Sequence, residues 1–187
     1  MSGPRFLMQV TYLRILLVPA VMALILLGDD LDGAYVAAAA LFGVAAATDF
    51  VDGWLARRWG VTTTLGSFLD TTADKLLVSG TLIALVAAGR ASPWIATIIV
   101  GRELLILGLR GLVAADGTVM APSIWGKLKA LVQFVAILLA TVRAGPEIAG
   151  LYVDEWAMII AAGITIMSAV EYIARFSSAL RSTTDMS

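Results

Sequence analysis

Six apolar stretches, each close to the length of a helix that crosses a bilayer, divide the chain at 6–28, 33–55, 67–88, 93–115, 124–143 and 152–175. Roughly 20 apolar residues in a helix cover the ~30 Å of a hydrocarbon core. Between the stretches stand only short punctuators: Gly28-Asp29-Asp30, Arg57-Arg58-Trp59-Gly60, Gly89-Arg90, Asp116-Gly117 and Gly145-Pro146. Of the 187 residues 60% are hydrophobic and only 14% charged, more apolar surface than a soluble domain of this size hides in one core. The expectation is an all-α, polytopic membrane protein of six transmembrane helices, folded as a single domain over residues 1–187. The first stretch is too long for a signal-peptide core and no small-residue cleavage site follows it, so it is read as a retained helix.

Lysine and arginine orient the bundle. With the N-terminus in the cytoplasm, that side receives Arg5, Arg57, Arg58, Lys127, Arg175 and Arg181. The opposite side receives Arg90, Arg143 and the acidic Asp29, Asp30 and Asp32. The excess of positive charge places both termini in the cytoplasm. The second stretch is rich in alanine, at 37–40 and 45–47, which suits close helix approach within the chain or in a homodimer.

The chain has no cysteine and no histidine. Thiolate and imidazole chemistry is therefore excluded, and a metal would have to be a hard cation held by oxygen. The oxygen ligands for one stand close together. Asp49 and Asp52 share one helical face, with Gly53 beside it and Ala56 a turn further on; Asp70 and Asp74 share a face of the next helix. A short link makes the two helices antiparallel neighbours, so both carboxylate pairs lie near the cytoplasmic ends. An ionised group within a span costs at least about 2.5–3.5 kcal/mol, and four carboxylates repel one another. Arg57, Arg58 and Lys75 are nearby but do not balance the cluster, whereas two divalent cations would, and such a pair is the usual clamp for displacement at phosphorus. Helix capping or local ion pairing explains any one of these aspartates. It does not explain four at these spacings with glycines between them.

The pattern Asp49-x2-Asp52-Gly53-x2-Ala56-Arg57-x8-Gly66-x3-Asp70-x3-Asp74 matches without a gap the signature of the CDP-alcohol phosphotransferases, which the chain resembles from about Thr11 to about Arg143. That resemblance implies that Asp49, Asp52 and Asp70 ligand two divalent cations, Mg²⁺ or Mn²⁺. Asp74 would also touch metal and act as general base. Gly53, Ala56 and Gly66 would leave room for the cytidine nucleotide of a CDP-lipid, with Asp52 alongside, and Arg57 would hold its phosphates. Thr71 stands where relatives often carry proline, which alters local geometry but removes no ligand.

The basic residues outside the motif select the acceptor. Arg14, Arg102 and Arg110 sit within apolar runs and need anionic partners; Glu103 is an adjacent one for Arg102. Arg102 and Arg110 are about two helical turns apart and so face the same way. With Lys127 and Lys129 they form a candidate phosphate pocket, and an anionic, water-soluble alcohol follows. The segments Thr11-x2-Arg14, Gly101-Arg102-Glu103-x6-Arg110 and Ser123-x2-Gly126-Lys127-x-Lys129 most resemble the bacterial phosphatidylglycerophosphate synthases. That implies CDP-diacylglycerol and glycerol 3-phosphate as substrates, membrane lipid as surroundings and no nucleic-acid partner. It also implies a multi-pass place in the bacterial inner membrane with the site open to the cytoplasm. Inositol phosphate as acceptor is the first alternative. A divalent-cation transporter is the second, and it leaves the fixed offsets of Gly53, Ala56 and Gly66 without a reason.

Overall fold

The structure, a computed structural model, describes the backbone over residues 3–59, 64–115, 124–143 and 145–184. It describes side chains over 8–48, 66, 68–112, 125–126, 128–143 and 145–177. Among the described residues six helices run in order: α1 Gly3–Leu26, α2 Ala34–Trp59, α3 Thr64–Ala87, α4 Pro93–Ala115, α5 Ile124–Val142 and α6 Val153–Thr184. Each coincides with one of the six apolar stretches to within a few residues at the start; α2 and α6 run further at their C-terminal ends, into the charged residues that follow.

Local chemistry sets the ends. The α3 helix closes on Gly89, whose φ of 66° is the left-handed conformation glycine adopts without strain. The Arg90 amide donates to the Leu85 carbonyl at 2.8 Å and the Gly89 amide to Val86 at 3.1 Å, the paired bonds of a Schellman stop. Three residues on, Pro93 begins α4 at the position where its missing N–H costs nothing.

One element departs from the all-helical expectation. Glu147–Ile148 (β1) and Leu151–Tyr152 (β2) form an antiparallel hairpin before α6. Ala149 and Gly150 turn it with φ of 53° and 82°, the two positive values of a tight two-residue turn. The hairpin is tied to α6 by Trp156, whose indole N–H donates to the Ile148 carbonyl at 3.0 Å. Glu155 accepts from the Tyr152 amide at 2.8 Å, the backward half of a capping box.

In the bundle α1 packs on α3 and α2, α5 on α6 and α2, and α4 on α6. The interior is filled by Phe42, Leu77, Leu82, Leu85, Ile99 and Ile137, all fully buried. Small residues let the backbones approach. A Cβ added at Gly80 would lie 2.7 Å from Val18 Cγ1 on α1.

The outside is apolar as well. Leu16, Val44, Phe68, Leu104, Leu131, Ile160 and Val170 are among many large apolar side chains that face outward. Apolar patches of this extent do not face water on a soluble monomer, and the natural solvent for such a surface is lipid. Over Met8–Leu26 and Val153–Ser177 the chain is long and apolar enough to cross a membrane by composition alone. Among the described residues, Ala34–Thr48 and Leu128–Val142 are shorter apolar parts of α2 and α5. Asp49 directly follows the first, and α3, α4 and α5 carry charges of the candidate site within their length. Because neighbouring helices alternate in direction, these polar parts fall together at one end of the bundle.

Candidate active site

On α3, Asp70 and Asp74 are one turn apart and so lie on one face. Arg14, carried into the bundle by α1 and only 1% exposed, places Nη1 2.9 Å from Asp70 Oδ1. Lys75 Nζ lies 3.3 Å from Asp74 Oδ2. A buried guanidinium needs a partner of opposite charge, and Asp70 supplies one. Arg14, expected at the acceptor phosphate, is thus placed against a motif aspartate.

Asp49, Asp52, Gly53, Ala56 and Arg57 all lie on α2, in the half that leads toward α3. Their side chains lie outside the described residues, as does that of Lys127 on α5. Gly66 is in the first turn of α3. Among the described residues no three carboxylates gather into a cation site. The donors that are described nevertheless suit one. Asp70 and Asp74 present hard oxygens one turn apart, their side chains remain 37% and 25% exposed, and a cationic group touches a single oxygen of each. That is the donor chemistry of a magnesium-type ion rather than of a soft metal.

Beside Lys75 opens a cavity of about 270 Å³ between α3, α4 and α5. Its polar lining is Thr71, Lys75, Arg102, Glu103, Arg110 and Lys129, with Ile106 and Leu107 as an apolar wall. Four cationic side chains therefore face one carboxylate. Glu103, 2% exposed, is the hub: Lys75 Nζ is 2.5 Å from its Oε2, Lys129 contacts its Oε1, and Arg102 Nη1 is 3.6 Å away. Lys75 thus touches both Glu103 and Asp74, joining the cavity to the motif face.

The cavity arginines are backed by α6. Arg102 Nη2 donates to Ser168 Oγ at 2.7 Å, and the Arg110 guanidinium lies 5.8 Å from the centre of the Tyr172 ring. Arg102, Arg110 and Lys129 were expected in one pocket and do line one cavity. Lys75, Glu103 and Thr71 join them, although the sequence suggested only ion pairing for the first two. Ser168 and Tyr172 were not anticipated. A signal for them existed: Met158, Ala161, Thr165, Ser168 and Tyr172 recur at alternating spacings of three and four and are all buried, so polar residues occupy the inward stripe of α6.

The sequence model of the family described as CDP-alcohol phosphatidyltransferase matches residues 8–167. Over 184 residues, 92% of this chain and 95% of the relative, the chain is 35% identical to the CDP-diacylglycerol–glycerol-3-phosphate 3-phosphatidyltransferase of Bacillus subtilis. A protein of the same name from Pseudomonas fluorescens is 33% identical over 171 residues, 88% of this chain and 86% of that one. The probable phosphatidylglycerophosphate synthase of Mycobacterium tuberculosis is 39% identical over 169 residues, covering 88% and 78%.

Proposed function

The chain belongs to the CDP-alcohol phosphatidyltransferase family, and from that membership we propose that it transfers the phosphatidyl group of CDP-diacylglycerol to glycerol 3-phosphate, giving phosphatidylglycerol phosphate and CMP. The observation that carries the acceptor is the cavity in which, among the described lining residues, Lys75, Arg102, Arg110 and Lys129 outnumber the single carboxylate Glu103, with Asp74 beside Lys75. Its net positive charge selects a phosphorylated alcohol over a neutral or cationic one. Relatives whose names specify glycerol 3-phosphate narrow the choice.

In this reading the cations of the cavity fix the acceptor's phosphate, and the acceptor's C1 hydroxyl points toward α3. Asp74 takes the hydroxyl proton while that oxygen attacks the lipid-side phosphorus. The bond from this phosphorus to the bridging oxygen breaks, and CMP departs with the electron pair. Asp52, Gly53, Ala56, Arg57 and Gly66 cradle the cytidine nucleotide. Asp49, Asp52, Asp70 and Asp74 would hold two divalent cations, Mg²⁺ or Mn²⁺, and these supply neutralisation of the diphosphate. Arg14 keeps Asp70 aimed at the site.

The rest of the proposal is architectural. All six helices span the bacterial inner membrane as one domain over residues 1–187, both termini and the cavity mouth are cytoplasmic, and the alanine-rich α2 is compatible with a homodimer as well as with packing inside the chain. The α1 and α6 helices support this by their composition, and the remaining four by the apolar surface that they turn outward.

The test is purified protein with CDP-diacylglycerol and Mg²⁺, offered glycerol 3-phosphate, inositol phosphate or serine, with the lipid product weighed. Phosphatidylglycerol phosphate and stoichiometric CMP with the first acceptor alone is the expected result. Asp70→Asn should lower CMP release by at least about a thousandfold while the protein still folds, as loss of a group central to electrostatic catalysis does. A product formed only with inositol phosphate would reassign the acceptor. Full activity of Asp70→Asn would remove the cation-holding role.

A further inference from the structure

The inward stripe of α6 changes character along its length. Met158 and Ala161 pack as ordinary apolar residues, whereas Thr165, Ser168 and Tyr172 bring polar groups to positions that are 0%, 2% and 6% exposed. Within a bundle whose outside is apolar, a buried hydroxyl is costly unless it meets a polar partner. Thr165 and Ser168 each meet one, whereas the Tyr172 hydroxyl has no hydrogen-bond partner among the described residues and its ring meets a cation instead. Thr165 Oγ1 accepts from Gln133 Nε2 on α5 at 2.9 Å. Ser168 Oγ accepts from Arg102 Nη2 at 2.7 Å, and the Tyr172 ring lies beneath the Arg110 guanidinium. The last two partners are the arginines that line the cavity, yet neither Ser168 nor Tyr172 lies within the 8–167 matched by the family.

We propose that Ser168 and Tyr172 are positioning residues for acceptor selection, holding Arg102 and Arg110 in the two orientations that fit a phosphate. This rests on the reading of the cavity as the acceptor site. An arginine has a long, flexible side chain whose planar fork discriminates only when its plane is fixed. Ser168 engages one nitrogen of Arg102 and so sets the direction of the rest. The Tyr172 ring offers its face to Arg110, an attraction that favours a defined placement of the cation over the ring. Neither residue needs to touch the alcohol. By choosing where two cations point, α6 selects among phosphorylated acceptors while α2 and α3 run the chemistry.

The experiment is steady-state kinetics of the purified full chain with CDP-diacylglycerol and glycerol 3-phosphate, each varied against saturation of the other. Ser168→Ala and Tyr172→Leu should each raise the KM for glycerol 3-phosphate about tenfold, the effect of losing one contact to a charged group. The KM for CDP-diacylglycerol and the extrapolated kcat should stay within about twofold of the parent. Tyr172→Phe keeps the ring and should restore the acceptor KM. A fall in kcat alone, an equal rise in both KM values, or no change would overturn the proposal in favour of a merely structural seam. Arg102→Gln and Arg110→Gln, run alongside, separate the two levels. If they raise the acceptor KM while the α6 variants do not, only the α6 assignment is lost. If they too leave it unchanged, the cavity is not the acceptor site and the α6 assignment falls with it.

Discussion

Glu103 is the residue on which most charge depends. It is buried and in contact with Lys75, Lys129 and Arg102, so removing its charge strands cations that cannot reach water easily. Breaking a buried pair in this way costs about 3–5 kcal/mol, mainly from the uncompensated partner. Glu103→Ala should therefore lower the melting temperature in detergent by many degrees, whereas Glu103→Gln, which still accepts a hydrogen bond, should lose less. Equal stability of both with the parent would show that the lysines have other anchors. At this scale the sequence was most informative where the residues are close together. Asp49 to Asp74 spans 26 residues of one helix pair, and local periodicity alone puts each carboxylate pair on one face. Arg14 was legible only as an arginine needing an anion. That the anion is Asp70, 56 positions away, depends on which helix α1 packs against, and no local spacing records that. Lys75 and Glu103 were visible as neighbours of more prominent residues, but their contact across α3 and α4 was not.

Among elements, the α1–α3 crossing matters most, because it carries Arg14 to Asp70. Its closeness depends on Gly80, over which Val18 and Met22 sit. Gly80→Val adds bulk where the β-branched Val18 has little freedom to turn away, and overpacking of this kind costs about 1–3 kcal/mol. The expected outcome is a lower melting temperature together with reduced CMP release, as the helices part and Arg14 withdraws. Gly163→Ala, where an added Cβ meets nothing within 4 Å, should change neither and serves as the control. Helix positions were legible throughout, since long apolar runs ended by Gly89 and Gly145 admit little else. The hairpin before α6 was not. Its strands have two residues each and its turn is Ala149-Gly150, without the asparagine or aspartate that would announce it; what holds it is Trp156 and Glu155 on the following helix.

For the whole molecule, the absence of cysteine makes topology directly testable. Single cysteines introduced at Asp30, Ala91 or Ser182 have no native thiol to compete with them. With the proposed orientation, a membrane-impermeant maleimide should label the first two from outside intact cells and the third only after permeabilisation. Reversed labelling would invert the bundle. Orientation was legible in the sequence only as a bias in where lysine and arginine fall, which is a statistical force on insertion rather than a contact. The gathering of polar helix segments at one end follows from six alternating directions, and so was implied by the number of stretches once they were known to be helices.

That one-ended distribution of charge has a consequence for the bilayer itself. On the proposed reaction, the donor is drawn from the same leaflet into which the product is released. One pair of acyl tails is surrendered for each pair returned, so the leaflet keeps its count of lipids while its headgroups are exchanged. Synthesis at this site alters the charge of the membrane surface, and no lipid has to cross from one side to the other for turnover to continue.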